Sequence, residues 1–227
     1  EGELTSTAIG QALAELGSTQ APPAAAEEGR PMPSTVQLCD DCPYRPAFGA
    51  LIEAMERHGG RDKHIVVGET GCMVRANLPP MELFDVKYSL GSGLGIGLGL
   101  AIGLALGQSD QRVVALIGDS SFFHSDINAM PYAVELDPPL LMIVLDNGIT
   151  ALTGGQVHPG SLIDERGRSR GAPADLEEVM RGCGATVQVF TPEQTTTLGA
   201  AIDAGLEHSG LSVLLFRGPC PRYLSGA

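Results

Sequence analysis

Two short polar segments follow apolar runs in the middle of the chain, and their residue types suit a metal ion and a phosphate group. The first is Ile117-Gly118-Asp119-Ser120-Ser121 and the second is Leu145-Asp146-Asn147-Gly148-Ile149-Thr150. About one strand–helix–strand unit separates Asp119 from Asn147, so adjacent parallel strands would bring both side chains to the same edge of a sheet. A carboxylate, an amide and a backbone carbonyl are oxygen ligands that suit Mg²⁺.

The same segments contain residues that favour an anion beside the metal. Gly118 permits a sharp turn, and Ser120 and Ser121 open a helix whose free N–H groups can face a phosphate. Together the segments predict a Mg²⁺–diphosphate site. The alternative is that Asp119 and Ser120 only cap a helix and Asn147 only makes a turn. Each residue alone favours this alternative, whereas the pair at this spacing favours the metal site.

The elements that must position these segments alternate between short apolar runs and helical patterns. Strands are predicted at 64–68, 111–117, 139–146, 186–190 and 212–217, and helices at 45–57, 91–107, 121–135 (broken or kinked at Pro131), 174–182 and 192–208. This order predicts an α/β fold, a parallel sheet with helices on both faces. An amphipathic helix at 3–16 and a Pro/Ala-rich linker at 18–36 precede it, so we divide the chain into an arm, 1–35, and a folded domain, 36–227.

Composition excludes several classes of partner. Asp and Glu total 27 against 14 Lys and Arg, and the resulting charge of −13 argues against binding nucleic acid or a membrane surface through a basic face. The uncharged stretch from Tyr88 to Ser109 is long enough to span a bilayer, but its seven glycines argue against it. Five cysteines, an odd number, without a visible signal peptide predict free thiols in a reducing, cytoplasmic setting.

The string from Gly118 to Gly160, GDSSFFHSDINAMPYAVELDPPLLMIVLDNGITALTGGQVHPG, resembles the α subunit of indolepyruvate ferredoxin oxidoreductase and its 2-oxoacid:ferredoxin oxidoreductase relatives. Within it, Gly-Asp-Ser followed by Asp-Asn is similar to the thiamine-diphosphate motif. The segment LCDDCPYR at 38–45 is similar to that family's Cys-x-x-Cys-Pro-His-Arg, and 88–93 to the helix start beneath the cofactor ring. The likeness covers about residues 36–222 and implies a thiamine-diphosphate-binding fold.

The resemblance also implies roles for individual residues. Asp119 and Asn147 would hold Mg²⁺ through their side chains, and Ile149 through its carbonyl. Thiamine diphosphate would further contact Cys42, Glu69, Gly71, Cys72, Leu90, Gly91, Ser92, Gly118, Ser120, Ser121, His124, Thr150, Ala151, Leu152 and Thr153. The groups that we predict to be catalytic are His124, Cys42 and Tyr44. His124 is the best candidate for acid–base chemistry, because its position four residues after Ser120 points it back towards the helix start. His158 is the second candidate for this role, although we favour its interpretation as an ordinary loop histidine.

Two residues depart from the family pattern, and both are expected near the substrate. Tyr44 stands where the family has His, and Asp126 stands where it has Gly, so the substrate pocket is expected to differ from one for indolepyruvate. We expect the family's pyrimidine-side domain, with its activating Glu, to come from a second subunit. The sequence has no run of clustered cysteines, so we also expect no iron–sulfur cluster in this chain and a separate electron-transfer subunit.

These observations predict the Mg²⁺- and thiamine-diphosphate-binding subunit of a 2-oxoacid oxidoreductase. It would oxidatively decarboxylate an aryl or branched 2-keto acid and pass electrons to a partner or a ferredoxin-like acceptor. The first alternative is a subunit of a split, non-oxidative 2-keto acid decarboxylase or carboligase that uses the same cofactor. The second is a subunit that keeps the fold without turnover.

Overall fold

The computed structural model describes residues 38–164 and 166–224, and its centre is one sheet of six parallel strands. The strands lie in the order β2-β1-β3-β4-β6-β5. They are β1 (His64–Gly68), β2 (Val86–Lys87), β3 (Arg112–Gly118), β4 (Leu140–Asp146), β5 (Val187–Phe190) and β6 (Ser212–Arg217). The predicted α/β fold with a parallel sheet is confirmed. The predicted arm helix at 3–16 and the linker at 18–36 lie outside the described residues.

Helices cover both faces of this sheet. They are α1 (Arg45–Arg57), α2 (Gly93–Leu106), α3 (Asp119–His124), α4 (Met130–Leu136), α5 (Leu176–Gly182), α6 (Thr195–Glu207) and α7 (Pro221–Leu224). Short 3-10 turns lie at Arg61–Lys63, Cys72–Asn77, Asp126–Asn128 and Pro192–Gln194. One core lies between the sheet and α1 and α6, and the other packs α2, α4 and α5 on the opposite face. Because β3 and β4 are buried on both faces, both read as continuous apolar runs.

The helix predicted at 121–135 is two helices in the structure. The chain leaves the helical path at Ser125 (φ −151°, ψ −28°), and α4 starts at Met130 with Pro131 in its first turn. The predicted break in this helix is present, but it lies at Ser125 and not at Pro131, since proline at the start of a helix loses no hydrogen bond. The break at Ser125 instead lets Asp126 reach α2, where its Oδ1 accepts a hydrogen bond from Leu94 N at 2.9 Å.

The glycine-rich helix α2 is apolar on every side, and its glycines permit close packing on the sheet. A Cβ atom at Gly97 would lie 3.1 Å from the Cβ of Ala115 in β3, closer than side chains normally approach. The helix has 14 residues, and Gly91, at φ +73°, lies before its first turn. Within 38–164 and 166–224, no helix has the length and apolar character needed to cross a membrane.

Candidate functional site

The carboxyl ends of β3 and β4 lie side by side and carry the two polar segments. Gly118, the last residue of β3, is in register with Leu145 in β4, so the residues that follow each strand meet at one edge of the sheet. A cleft of about 570 Å³ opens there. Its lining residues are Tyr44, Thr70, Gly71, Cys72, Met73, Leu90, Gly118, Asp119, Ser120, Asn147, Ile149, Thr150, Ala151, Leu152 and Thr153. Most of the residues predicted to contact the cofactor are thus brought together.

Asp119 is almost fully buried and links the two strand ends. Its Oδ2 accepts hydrogen bonds from the backbone N–H groups of Asn147 at 3.0 Å and Gly148 at 2.8 Å. Its Oδ1 accepts only from the adjacent amide of Ser120, at 2.7 Å. The alternative interpretation, in which Asp119 only caps a helix and Asn147 only makes a turn, therefore agrees with these hydrogen bonds. It leaves a lone pair on Oδ1, however, because each carboxylate oxygen can accept two bonds.

Asn147 and the loop after it supply further oxygen atoms. Asn147 Oδ1 accepts one hydrogen bond, from Ile149 N at 3.1 Å, and its side chain is buried. Thr150 N donates to Gln156 O at 2.9 Å, which closes the loop on itself. No three acidic, His or Cys side chains among the described residues form a group that could hold a metal ion. A cation here would therefore depend on a mixed set of carboxylate, amide and carbonyl oxygens.

A second carboxylate, that of the partly buried Asp146, lies at the end of β4. Burial, and then the charge of Asp119, raises the pKa of Asp146 to about 6. Arg217 partly offsets this effect, with its Nε 2.9 Å from Asp146 Oδ2. Among the described residues that line the cleft there is no Lys or Arg. The electrostatics therefore favour a bound cation, and an anionic ligand would need that cation as its partner.

Tyr44, predicted to be catalytic, lines the cleft, and its hydroxyl is hydrogen-bonded within the fold. It is buried, and its O–H donates to the carbonyl of Leu145 in β4 at 3.0 Å. Burial, followed by the charge of Asp119, raises the pKa of Tyr44 well above its ordinary value. The hydroxyl is therefore neutral and fastens the start of α1 to the sheet.

Four cysteines surround a second cavity, of about 530 Å³, next to the cleft. Cys39, Cys42, Cys72 and Cys220 all line it, and Cys72 lines the first cleft too. Burial, and then the neighbouring Cys42, raises the pKa of Cys72 to about 11, and burial also raises the pKa of Cys42. The thiols of Cys42 and Cys72 are thus protonated at neutral pH and are poor nucleophiles. Sequence reasoning missed this grouping because three separate segments supply the thiols.

Six residues predicted to contact the cofactor are not among those that line the cleft. These are Cys42, Glu69, Gly91, Ser92, Ser121 and His124. His124 is exposed, and its Nδ1 is 2.8 Å from the hydroxyl of Ser125. The side chains of Glu69 and Ser121 are fully buried. Their roles at the cofactor stay predictions.

Asp126, expected near the substrate, is buried at the start of α2. It is 1% exposed, and its Oδ1 accepts a hydrogen bond from Leu94 N. Its place near the substrate stays a prediction.

His158 makes a contact with Asp119 that sequence reasoning missed. The structure buries it and places its Nε2 3.2 Å from Asp119 Oδ2. The contact joins residues on two different segments, and no local pattern in the sequence marks it. The interpretation of His158 as an ordinary loop histidine is wrong.

An all-parallel sheet with Asp119 and Asn147 at the ends of neighbouring central strands is the arrangement of a cofactor-binding domain, and comparison with known families identifies the class. The family model of the thiamine pyrophosphate enzyme C-terminal TPP binding domain matches residues 69–216. The chain belongs to this family.

Individual relatives show which members of this family the chain resembles. The chain is 33% identical to the indolepyruvate oxidoreductase subunit IorA of Pyrococcus horikoshii over 204 residues, which cover 86% of this chain and 30% of the relative. It is 32% identical to IorA of Methanothermobacter marburgensis over 186 residues, 81% of this chain and 29% of the relative. These similarities confirm the resemblance to indolepyruvate oxidoreductase. The chain spans under a third of the length of both relatives.

Solved structures share the fold. A 2-oxoglutarate:ferredoxin oxidoreductase from Magnetococcus marinus superposes with a TM-score of 0.72 at 20% identity, covering 85% of this chain and 67% of that one. The thiamine diphosphate-dependent 4-hydroxybenzoylformate decarboxylase of Rhodococcus jostii gives a TM-score of 0.55 at 20% identity, covering 90% and 38%. At these identities the likeness supports the fold alone, and oxidative and non-oxidative enzymes both share it.

Proposed function

We propose that the chain is the Mg²⁺- and thiamine-diphosphate-binding part of a 2-oxoacid oxidoreductase. It would oxidatively decarboxylate an aryl or branched 2-keto acid of the indolepyruvate type and pass electrons to a partner or a ferredoxin-like acceptor. The observation that carries the proposal is the pairing of Asp119 with Asn147 across the ends of β3 and β4, in a cleft without lining cations. The IorA relatives support the substrate class.

The residues of the cleft suit the two halves of the cofactor. Mg²⁺ would be held by Asp119, Asn147 and the carbonyl of Ile149, and would supply the positive charge that the diphosphate needs. The diphosphate would lie against Gly118, Ser120 and the loop from Thr150 to Thr153. When bound, thiamine diphosphate supplies the electron sink for release of CO₂. Leu90 and Met73, both in the lining, would keep water from the ring side.

A second subunit would complete the site. None of the described residues that line the cleft is a Glu. Glu69 is fully buried, and its Oε1 accepts a hydrogen bond from Gly93 N at 2.6 Å. This oxygen is therefore already hydrogen-bonded within the fold. The activating Glu and the pyrimidine-side domain would therefore come from elsewhere in the assembly, as the resemblance implies.

The IorA relatives favour the oxidative reaction over the split non-oxidative decarboxylase or carboligase. The four thiols beside the cleft form no group that could hold a metal ion among the described residues. An iron–sulfur cluster, whose usual ligands are cysteine thiolates, would therefore be carried by another part of the assembly. The free thiols fit a cytoplasmic enzyme.

Product analysis tests the proposal. The chain, purified with the chains that accompany it in cells, would be supplied with Mg²⁺, thiamine diphosphate, coenzyme A and a series of aryl and branched 2-keto acids. We expect a reduced one-electron acceptor together with an acyl-CoA or an acid. A free aldehyde or acyloin with no reduced acceptor would support the non-oxidative alternative. Full turnover by the 227-residue chain alone would contradict the need for a second subunit.

A further inference from the structure

We propose that His158 is a positioning residue for the metal site, because it holds one oxygen of Asp119 and leaves the other for the cation. The inference rests on the function proposed for Asp119. Nε2 of His158 lies 3.2 Å from Asp119 Oδ2, and both side chains are buried, with 6% and 4% exposed. The contact is therefore shielded from the water that would otherwise compete for it.

The proton on the imidazole ring is fixed by a neighbouring amide. Gly160 N donates a hydrogen bond to Nδ1 of His158 at 3.2 Å, so Nδ1 is an acceptor and carries no proton. The ring proton must then be on Nε2, the atom that faces Asp119. His158 thus donates to the carboxylate, in the way that outer-shell partners orient metal ligands.

Packing fixes the plane of the ring as well. Phe123, on the same helix as Asp119, stacks against His158 with 5.6 Å between ring centroids and 27° between planes. A Cβ atom at Gly160 would lie 2.8 Å from the ring of Phe123 and 3.3 Å from that of His158. Only glycine at this position lets the loop come close enough for both contacts.

The backbone of His158 is held from two further sides. Its N–H donates to the hydroxyl of the fully buried Ser161 at 3.0 Å. Its carbonyl accepts from Nη1 of Arg170 at 2.9 Å. The ring is therefore a rigid donor rather than a side chain that samples several rotamers.

The two carboxylate oxygens of Asp119 differ in the number of N–H groups that face them. Oδ2 has three N–H groups within hydrogen-bond distance, those of Asn147 N, Gly148 N and His158 Nε2, so both of its lone pairs are used. Oδ1 has one, that of Ser120 N. The geometry therefore leaves Oδ1 as the oxygen for Mg²⁺, and loss of the His158 donor would let the carboxylate rotate. Outer-shell partners of this kind typically change metal affinity by about 10–100-fold.

Two substitutions separate the donor from the bulk of the ring. H158Q keeps an N–H donor at a similar distance from the backbone, whereas H158L keeps volume and loses the donor. H64L is the matched control, since His64 in β1 is also buried and its Nδ1 bonds Gly60 O. For each full-length variant we would measure the Mg²⁺ concentration that half-saturates thiamine diphosphate binding, and the melting temperature without cofactor.

We expect H158L to raise that Mg²⁺ concentration by about 10-fold or more, H158Q to restore most of the affinity, and H64L to lower only the melting temperature. Unchanged Mg²⁺ affinity in H158L, while the wild type binds normally, would overturn the inference and leave the proposed function standing. So would a ¹⁵N spectrum that places the ring proton on Nδ1. A wild-type chain that binds no cofactor at any Mg²⁺ concentration, alone or with its partner chains, would overturn the proposed function as well.

Discussion

Glu69 and Asp126 cap two consecutive amides at the start of α2. Glu69 Oε1 accepts from Gly93 N at 2.6 Å, and Asp126 Oδ1 accepts from Leu94 N at 2.9 Å. Burial, and then the interaction with Asp126, raises the pKa of Glu69 to about 9, and burial raises the pKa of Asp126. The pair therefore keeps a proton at neutral pH, which Glu69 can share with the otherwise unpartnered Oδ2 of Asp126.

This pair makes stability depend on pH. Because the pKa of Glu69 is higher in the folded than in the unfolded chain, its contribution is complete below the ordinary pKa of Glu and is lost as pH rises towards about 9. We expect the free energy of unfolding to fall from about pH 5 to about pH 9. E69Q should flatten this dependence and stabilise the chain at the alkaline end, since its amide N–H replaces the shared proton. Urea unfolding across this range measures both effects.

E53Q is the control for the loss of one carboxylate, since Glu53 is exposed on α1. It should leave the wild-type slope unchanged. An equal slope in the wild type and E69Q would show that the pair does not share a proton in the folded chain.

Two glycines of α2 should respond in opposite directions to the same substitution. A Cβ atom at Gly93 would lie 2.7 Å from Cγ of Glu69, whereas one at the exposed Gly99 would meet nothing within 4 Å. G93A should lower the free energy of unfolding by about 1–3 kcal/mol through overpacking. G99A should raise it by about 0.5–1 kcal/mol, because alanine favours the helix. Equal effects in chemical denaturation would contradict the close packing at Gly93.

The hydroxyl of Tyr44 should matter for stability more than for chemistry. Y44F removes the bond to the Leu145 carbonyl, and we expect it to lower the free energy of unfolding by about 1 kcal/mol. The turnover number of the complete enzyme should change little, because the hydroxyl is already engaged. Steady-state kinetics alongside thermal melts would check this. A large fall in turnover at unchanged stability would restore the catalytic role predicted from the sequence.

The thiols beside the second cavity are expected to hold no iron–sulfur cluster, because they form no group that could hold a metal ion among the described residues. After anaerobic reconstitution with iron and sulfide, the wild-type chain should retain no stoichiometric iron or acid-labile sulfide. Separate serine substitutions at Cys39, Cys42, Cys72 and Cys220 should therefore leave the iron content unchanged. C183S is the control, since Cys183 is not among the residues that line the cavity. Stoichiometric iron in the wild type that these four substitutions reduce and C183S does not would contradict the expectation of no cluster in this chain.

The sequence predicted most of the sheet and the metal segments, because both depend on local patterns. β3 and β4 are unbroken apolar runs, and each ends in the polar residues that line the cleft. β2 escaped prediction because two residues carry no periodicity, and it exists only through pairing with β1. The break at Ser125 escaped prediction because a tertiary contact, from Asp126 to α2, determines it. The contact of His158 with Asp119 likewise depends on how a long loop folds back.

The most direct test of the account is thiamine diphosphate binding to the full chain, with its partner chains present, as Mg²⁺ is varied. We expect binding to require Mg²⁺ and D119N to weaken it by more than the ~10–100-fold typical of an outer-shell change. D62N, an exposed substitution with the same change in charge, should bind as the wild type does. Binding that persists without Mg²⁺, or that is equal in D119N and the wild type, would contradict the assignment of this cleft.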